Sequence, residues 1–116
     1  MEQLARSFRF AFQGLKEALA ERNFRIQAAI GAAALLLAFA LRVSFLEKLM
    51  ILLCAVMVLG GEMANSAMER LADFVSTEHR DEIRQTKDLM AGMVLLLAGG
   101  AFVIGIAIFA KALWQQ

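Results

Sequence analysis

Cysteine and histidine each occur once in this 116-residue chain, and proline and tyrosine do not occur at all. Cys54 stands in the middle of an apolar run with no disulfide partner in the chain, and reads as a packing residue. The lone His79 lies in a charged connection and reads first as a solvated side chain, so no Cys/His metal cluster can be written. A Walker-type glycine loop is also missing. Gly60, Gly61, Gly92, Gly99, Gly100 and Gly105 read as close-packing sites between helices rather than as a phosphate cradle. The N-terminal segment has no apolar core followed by small residues, which argues against a signal peptide.

What is present is overwhelmingly apolar. Hydrophobic residues make up 60% of the chain, tryptophan occurs once, and mean hydropathy is +0.64. A soluble domain of this size would have far too little polar surface, so the composition implies a small integral membrane protein. The net charge of +1 hides a segregation: nearly all charges fall in residues 1–25, 42–48, 62–88 and at the C-terminus. Three apolar blocks remain, at about 26–41, 49–61 and 89–110, of which only the last reaches the roughly 20 residues that cross a bilayer unaided. The first draws on Phe24, Val43 and Phe45 to reach across, with Arg25 and Arg42 snorkelling at its ends. The second is interrupted by Glu62, so its helix carries a carboxylate into the inner edge of the bilayer. The expectation is one membrane domain over residues 1–116, all-α, with membrane helices at about 24–45, 48–74 and 86–113.

Lysine and arginine set the orientation. Residues 1–25 hold Arg6, Arg9, Lys16, Arg22 and Arg25, and residues 70–87 hold Arg70, Arg80, Arg84 and Lys87, against Arg42 and Lys48 in the intervening turn and Lys111 near the end. The positive-inside rule then puts the N-terminus and the 62–88 region in the cytoplasm. Leu4, Phe8, Phe12, Leu15 and Leu19 recur at helical spacing, with Arg6, Arg9, Gln13, Lys16 and Glu17 on other faces, which predicts an amphipathic surface helix over residues 1–22. Trp114 suits an anchor at the outer interface.

The stretch Glu62-Met-Ala-Asn-Ser-Ala-Met-Glu-Arg-Leu-Ala-Asp73 carries the chemistry. Wound at about 100° per residue, Glu62, Asn65, Glu69 and Asp73 fall within roughly 80° of one another. Three carboxylates and an amide in one stripe, starting where hydrocarbon gives way to water, are costly without a partner. Glu21, Arg22, Asn23 and Arg25 before the first span and Lys87-Asp88 before the third lie at the same cytoplasmic level. Carboxylates there could hold a divalent cation through oxygen, a lysine could neutralise phosphate charge, and a remaining carboxylate could accept a hydroxyl proton. Metal, lysine and base are the parts of a phosphoryl-transfer site. Plainer readings stand beside it: Glu21 and Arg25 are spaced as a helix-surface ion pair, and Lys87 as an interfacial snorkeller.

Glu-x-x-Asn-Ser-Ala-x-Glu-x-x-x-Asp over 62–73, followed by Lys87-Asp88, resembles the signature of the prokaryotic diacylglycerol kinase family, which includes undecaprenol kinases. Glu21-Arg22-Asn23-Phe24 is similar to the family's entry into its first membrane helix, and the likeness covers essentially the whole chain. The resemblance implies an ATP-dependent, Mg²⁺-assisted lipid kinase of the bacterial inner membrane, first of diacylglycerol and alternatively of undecaprenol. It implies Glu62 as catalytic base with Asn65 beside it, and Glu21 and Glu69 as metal ligands. It implies nucleotide contacts at Glu69, Lys87, Asp88, Glu78, His79, Arg80 and a residue of the first helix, Arg6 or Arg9, and lipid contacts at Asn23, Phe24, Arg25, Glu62 and Ala91. It also implies a homotrimeric bundle with active sites shared between chains, and no nucleic-acid partner. Ala64 and Ala72 depart from the pattern, where bulkier aliphatics are usual, and the segment from Gly14 to Glu21 is one residue shorter than in some relatives. A proton-coupled transporter built around Glu62 is the competing reading; it expects an acid nearer mid-membrane and leaves Glu69, Asp73 and Lys87-Asp88 without a use.

Overall fold

The computed structural model describes residues 1–76, 78 and 80–116 and contains four helices: α1 (Glu2–Ala18), α2 (Arg22–Ala40), α3 (Phe45–Val75) and α4 (Asp81–Trp114). No strand occurs among the described residues. The last three helices are each long and apolar enough to cross a membrane. At 31 and 34 residues, α3 and α4 are roughly 46 and 51 Å long, well beyond a hydrocarbon core of about 30 Å. Their excess length lies at the polar end, where α3 finishes and α4 begins.

Local chemistry fixes the boundaries. Leu19 and Ala20 break the chain between α1 and α2, and Glu21, in extended conformation (φ −83°, ψ 128°), is the N-cap of α2. The first membrane helix stops at Ala40. Val43 and Phe45 therefore do not extend it, contrary to the expectation from block length. The cause is a tight C-terminal motif: Arg42 adopts φ 56°, its amide donates to Phe39 O (3.2 Å), and the Val43 amide donates to Ala38 O (3.2 Å). This is the Schellman pattern, with arginine where glycine is usual and Val43 buried as the accompanying apolar contact. One residue later, Ser44 and Glu47 form a reciprocal capping box, Oγ accepting from the Glu47 amide and the carboxylate accepting from the Ser44 amide, both at 3.1 Å. Asp81 and Glu82 start α4, five residues before the expected membrane helix, where acidic side chains complement the helix dipole.

The molecule is a slab of 54 × 43 × 19 Å. The central helix, α3, packs against α2 on one side and α4 on the other. Small residues set both contacts: a Cβ on Gly31 would stand 3.0 Å from Ala55 Cβ, and one on Gly61 would stand 2.6 Å from Leu97 Cδ1. At the end opposite the acidic stripe, Ala38, Val43, Ile51, Ile108 and Ala112 form a small buried cluster. Beyond these contacts most side chains of the three long helices are exposed in the single chain, Leu36, Leu95, Leu96 and Phe102 among them. Of α1, only Ala18 is buried, and Leu4, Phe8, Phe12 and Leu15 are uncovered.

Candidate active site

All four residues of the stripe belong to α3, which runs unbroken through Glu62, Asn65, Glu69 and Asp73. The environment changes along it. Glu62 is 5% exposed, beside the close approach of Gly61 to Leu97 and Met93 of α4. Seven residues on, Glu69 is exposed, which at 1.5 Å per residue puts it roughly 10 Å further along the axis. The two carboxylates therefore stand at different depths along the helix. Between them the Asn65 amide nitrogen donates to Glu69 Oε1 at 3.4 Å, while its carbonyl oxygen is buried without a partner among the described residues. A buried acceptor left open in this way costs free energy unless a donor arrives.

A second group closes the stripe. Lys87 Nζ donates to Asp73 Oδ1 at 2.7 Å, joining the last turns of α3 to the first turns of α4. Its neighbour Asp88 accepts from Arg84 Nη1 at 3.0 Å and borders an open groove with Gln85, Leu89, Gly92, Met93 and Leu96. In the connection, Arg80 Nε donates to Glu78 Oε2 at 3.4 Å. His79 lies outside the described residues.

The third group is at the α1–α2 corner. Glu21 does not pair with Arg25. Instead Arg70 of α3 donates to Glu21 Oε1 at 2.6 Å and to Glu17 Oε2 at 3.0 Å. Arg25 turns back, its Nη1 donating to the carbonyls of Leu19 and Ala20 at 3.0 Å each. Because Arg70 follows Glu69 directly, these contacts bring the corner to the level of Glu69 on α3. A cavity of about 180 Å³ lies between the elements, lined by Gly14, Glu17, Glu21, Met63, Ser66 and Arg70 among others.

Arg9 and Asn23 are exposed, Phe24 is buried at the start of α2, and Ala91 is exposed on α4. Within one chain, therefore, the structure joins Glu21 to Arg70, Asn65 to Glu69 and Lys87 to Asp73, and gives no contact that draws Arg9 or Ala91 to them. Among the described residues no three His, Cys, Asp or Glu side chains are grouped to chelate an ion unaided. The sequence reading missed Glu17 and Arg70. Their pairing spans 53 residues, and no periodicity rule reaches that far.

Chemically, the arrangement combines a poorly solvated carboxylate, an amide oxygen with no partner among the described residues, carboxylates with oxygens to spare and a lysine held by an aspartate. A sequence model of the prokaryotic diacylglycerol kinase family matches residues 9–109. The chain is 32% identical over 110 residues to the undecaprenol kinase of Bacillus subtilis (strain 168), covering 94% of this chain and 89% of that protein. It is 34% identical over 101 residues to the diacylglycerol kinase of Synechocystis sp., covering 85% of this chain and 58% of that one.

Proposed function

The chain belongs to the prokaryotic diacylglycerol kinase family, a family of lipid kinases, and from that premise we propose that it transfers the γ-phosphoryl group of ATP to the hydroxyl of diacylglycerol, giving phosphatidic acid at the cytoplasmic face of a bacterial inner membrane. The observation that carries this reading is the burial of Glu62 at the apolar end of a stripe whose other end is exposed. A lipid alcohol arrives from the bilayer and a nucleotide from the cytosol, and the stripe runs from one environment to the other.

Glu62 accepts the proton of the lipid hydroxyl as the hydroxyl oxygen attacks the γ-phosphorus, while the bond from that phosphorus to the β–γ bridging oxygen breaks and ADP leaves. Burial keeps water from competing for that carboxylate. The open Asn65 carbonyl oxygen accepts a hydrogen bond from a bound group, and Lys87, oriented by Asp73, balances phosphate charge with Asp88 beside it on α4. The donor chemistry of Glu21 and Glu69 fits Mg²⁺: each has one oxygen engaged by a neighbour, Arg70 or Asn65, and a second oxygen left over. Magnesium takes one or two carboxylates and completes its shell with substrate phosphates and water, so a three-acid cage is not required. Bound there, it neutralises charge on the transferring phosphates.

The open faces of a 19 Å slab support a homotrimer with active sites completed across subunit boundaries. The uncovered Leu4, Phe8, Phe12 and Leu15 support an α1 that lies on the cytoplasmic membrane surface, an orientation in keeping with the excess of Lys and Arg on that side. Undecaprenol is the second substrate reading. The undecaprenol kinase relative favours it, being matched over most of its own length, as does the Glu21-Arg22-Asn23-Phe24 segment.

The test is purified protein in mixed micelles with labelled ATP, offered diacylglycerol and undecaprenol side by side. Label in diacylglycerol in preference to undecaprenol supports the main reading, the reverse supports the second, and label in neither lipid sinks the kinase reading.

A further inference from the structure

Helix α1 has little to hold it. Ala18 is its one buried residue, its apolar side chains are uncovered, and the main packing of the molecule lies among the other three helices. Against this background two arginines converge on the α1–α2 corner. Arg25 bonds the last carbonyls of the corner, Leu19 O and Ala20 O, as a cation does at a helix C-terminus. Arg70 reaches from α3 to two carboxylates on successive turns of the corner, Glu17 and Glu21.

We propose that Arg70 is a positioning residue for phosphoryl transfer: by clasping Glu17 and Glu21 it docks the α1–α2 corner on α3 and fixes Glu21 at the level of Glu69. The proposal rests on the kinase reading of the site. The clasp differs from an isolated surface pair, which is worth little, because one planar guanidinium holds two acids with separate nitrogens. It also leaves the working atoms free. Arg70 engages Oε1 of Glu21 just as Asn65 engages Oε1 of Glu69, so each carboxylate is oriented through one oxygen and offers the other. Glu17 has no part in the proposed chemistry and serves as the second anchor.

The experiment compares the full-length wild type, Arg70→Gln, Arg70→Lys, Glu17→Gln and the Arg70→Gln/Glu17→Gln double variant in lipid micelles. Amide hydrogen exchange is followed over residues 14–21, and steady-state kinetics are measured with MgATP varied at saturating diacylglycerol. In Arg70→Gln, exchange in this segment should accelerate roughly fivefold, the range of a lost network contact. KM for MgATP should rise by a similar factor with kcat held within about twofold. Glu17→Gln should show a smaller change of the same kind, the double variant should be no worse than Arg70→Gln, and Arg70→Lys should recover part of the loss. Unchanged exchange in Arg70→Gln overturns the proposal. So does a fall in KM, which would make Arg70 a competitor for Glu21, or a loss of kcat at constant KM, which would put Arg70 on the reacting phosphoryl group. Should the wild type phosphorylate no lipid, the kinase reading fails, while the exchange data still decide whether the clasp exists.

Discussion

Lys87 and Asp73 meet at 2.7 Å across the break between α3 and α4, and the contact turns two helix ends into one surface. The resemblance assigns Lys87 to the nucleotide; the structure adds that Asp73 holds its ammonium. Asp73→Asn keeps the size of the side chain and removes its charge. With Lys87 less constrained, KM for ATP should rise by roughly two- to fivefold, the scale of a partly exposed pair, at nearly constant kcat. Lys87→Met removes the charge itself and should do more damage than Asp73→Asn. Equal kinetics for the two variants and the wild type would leave Lys87 as an ordinary interfacial side chain.

Metal ligation by Glu21 and Glu69 makes a separate prediction. Replacing either by Gln should shift Mg²⁺ activation to higher concentration, and the loss should be partly recovered by excess Mg²⁺ or by Mn²⁺, which shares the preference for oxygen ligands. The check is a titration of activity against each metal at fixed ATP. A Glu21→Gln protein with an unaltered metal profile would reduce Glu21 to a partner of Arg70.

Packing of α2 on α3 can be tested without touching the chemistry. A methyl group on Gly31 would lie 3.0 Å from Ala55 Cβ, an atom fixed to its backbone that cannot swing away. Alanine gains about 1 kcal/mol in helix propensity over glycine, but over-packing costs about 1–3 kcal/mol, so Gly31→Ala should be net destabilising. Ala55→Gly in the same chain should restore thermal stability in detergent. A Gly31→Ala protein as stable as the wild type would show that the helices sit further apart at this level.

The main lines of this fold were legible because hydropathy and helical period are local signals. Residues 89–110 announced a span by length alone, and the spacing of Glu62, Asn65, Glu69 and Asp73 described a face that α3 indeed presents. Helix ends were harder. Nothing in the block from Ile26 to Leu41 marks Ala40 as the last helical residue, because the stop depends on Arg42 adopting a left-handed conformation usually taken by glycine. The contacts that assemble the site were hardest. Glu21 and Arg25 have the spacing of a helix pair, yet Glu21 is the N-cap and lies outside α2, so its carboxylate turns to Arg70, 49 residues away. Such a pairing is a product of tertiary docking.

Shared sites predict complementation. Glu21→Gln and Glu62→Gln proteins, each impaired alone at limiting Mg²⁺, should regain activity at that Mg²⁺ concentration when unfolded together and co-refolded, because some subunit boundaries then join an intact Glu21 to an intact Glu62. Activity no greater than the sum of the separate variants, in samples shown by mass to contain mixed oligomers, would place both residues within one chain.

The central claim is that Glu62, buried where the stripe begins, removes the proton from a lipid hydroxyl. The most direct measurement is the transfer of label from the γ-position of ATP to diacylglycerol and to undecaprenol, wild type against Glu62→Gln, in the same micelles. Glutamine preserves size and hydrogen bonding but cannot accept the proton. Turnover should fall by on the order of 10²- to 10⁴-fold with KM for ATP almost unchanged. A Glu62→Gln protein that phosphorylates its lipid at the wild-type rate would contradict the account.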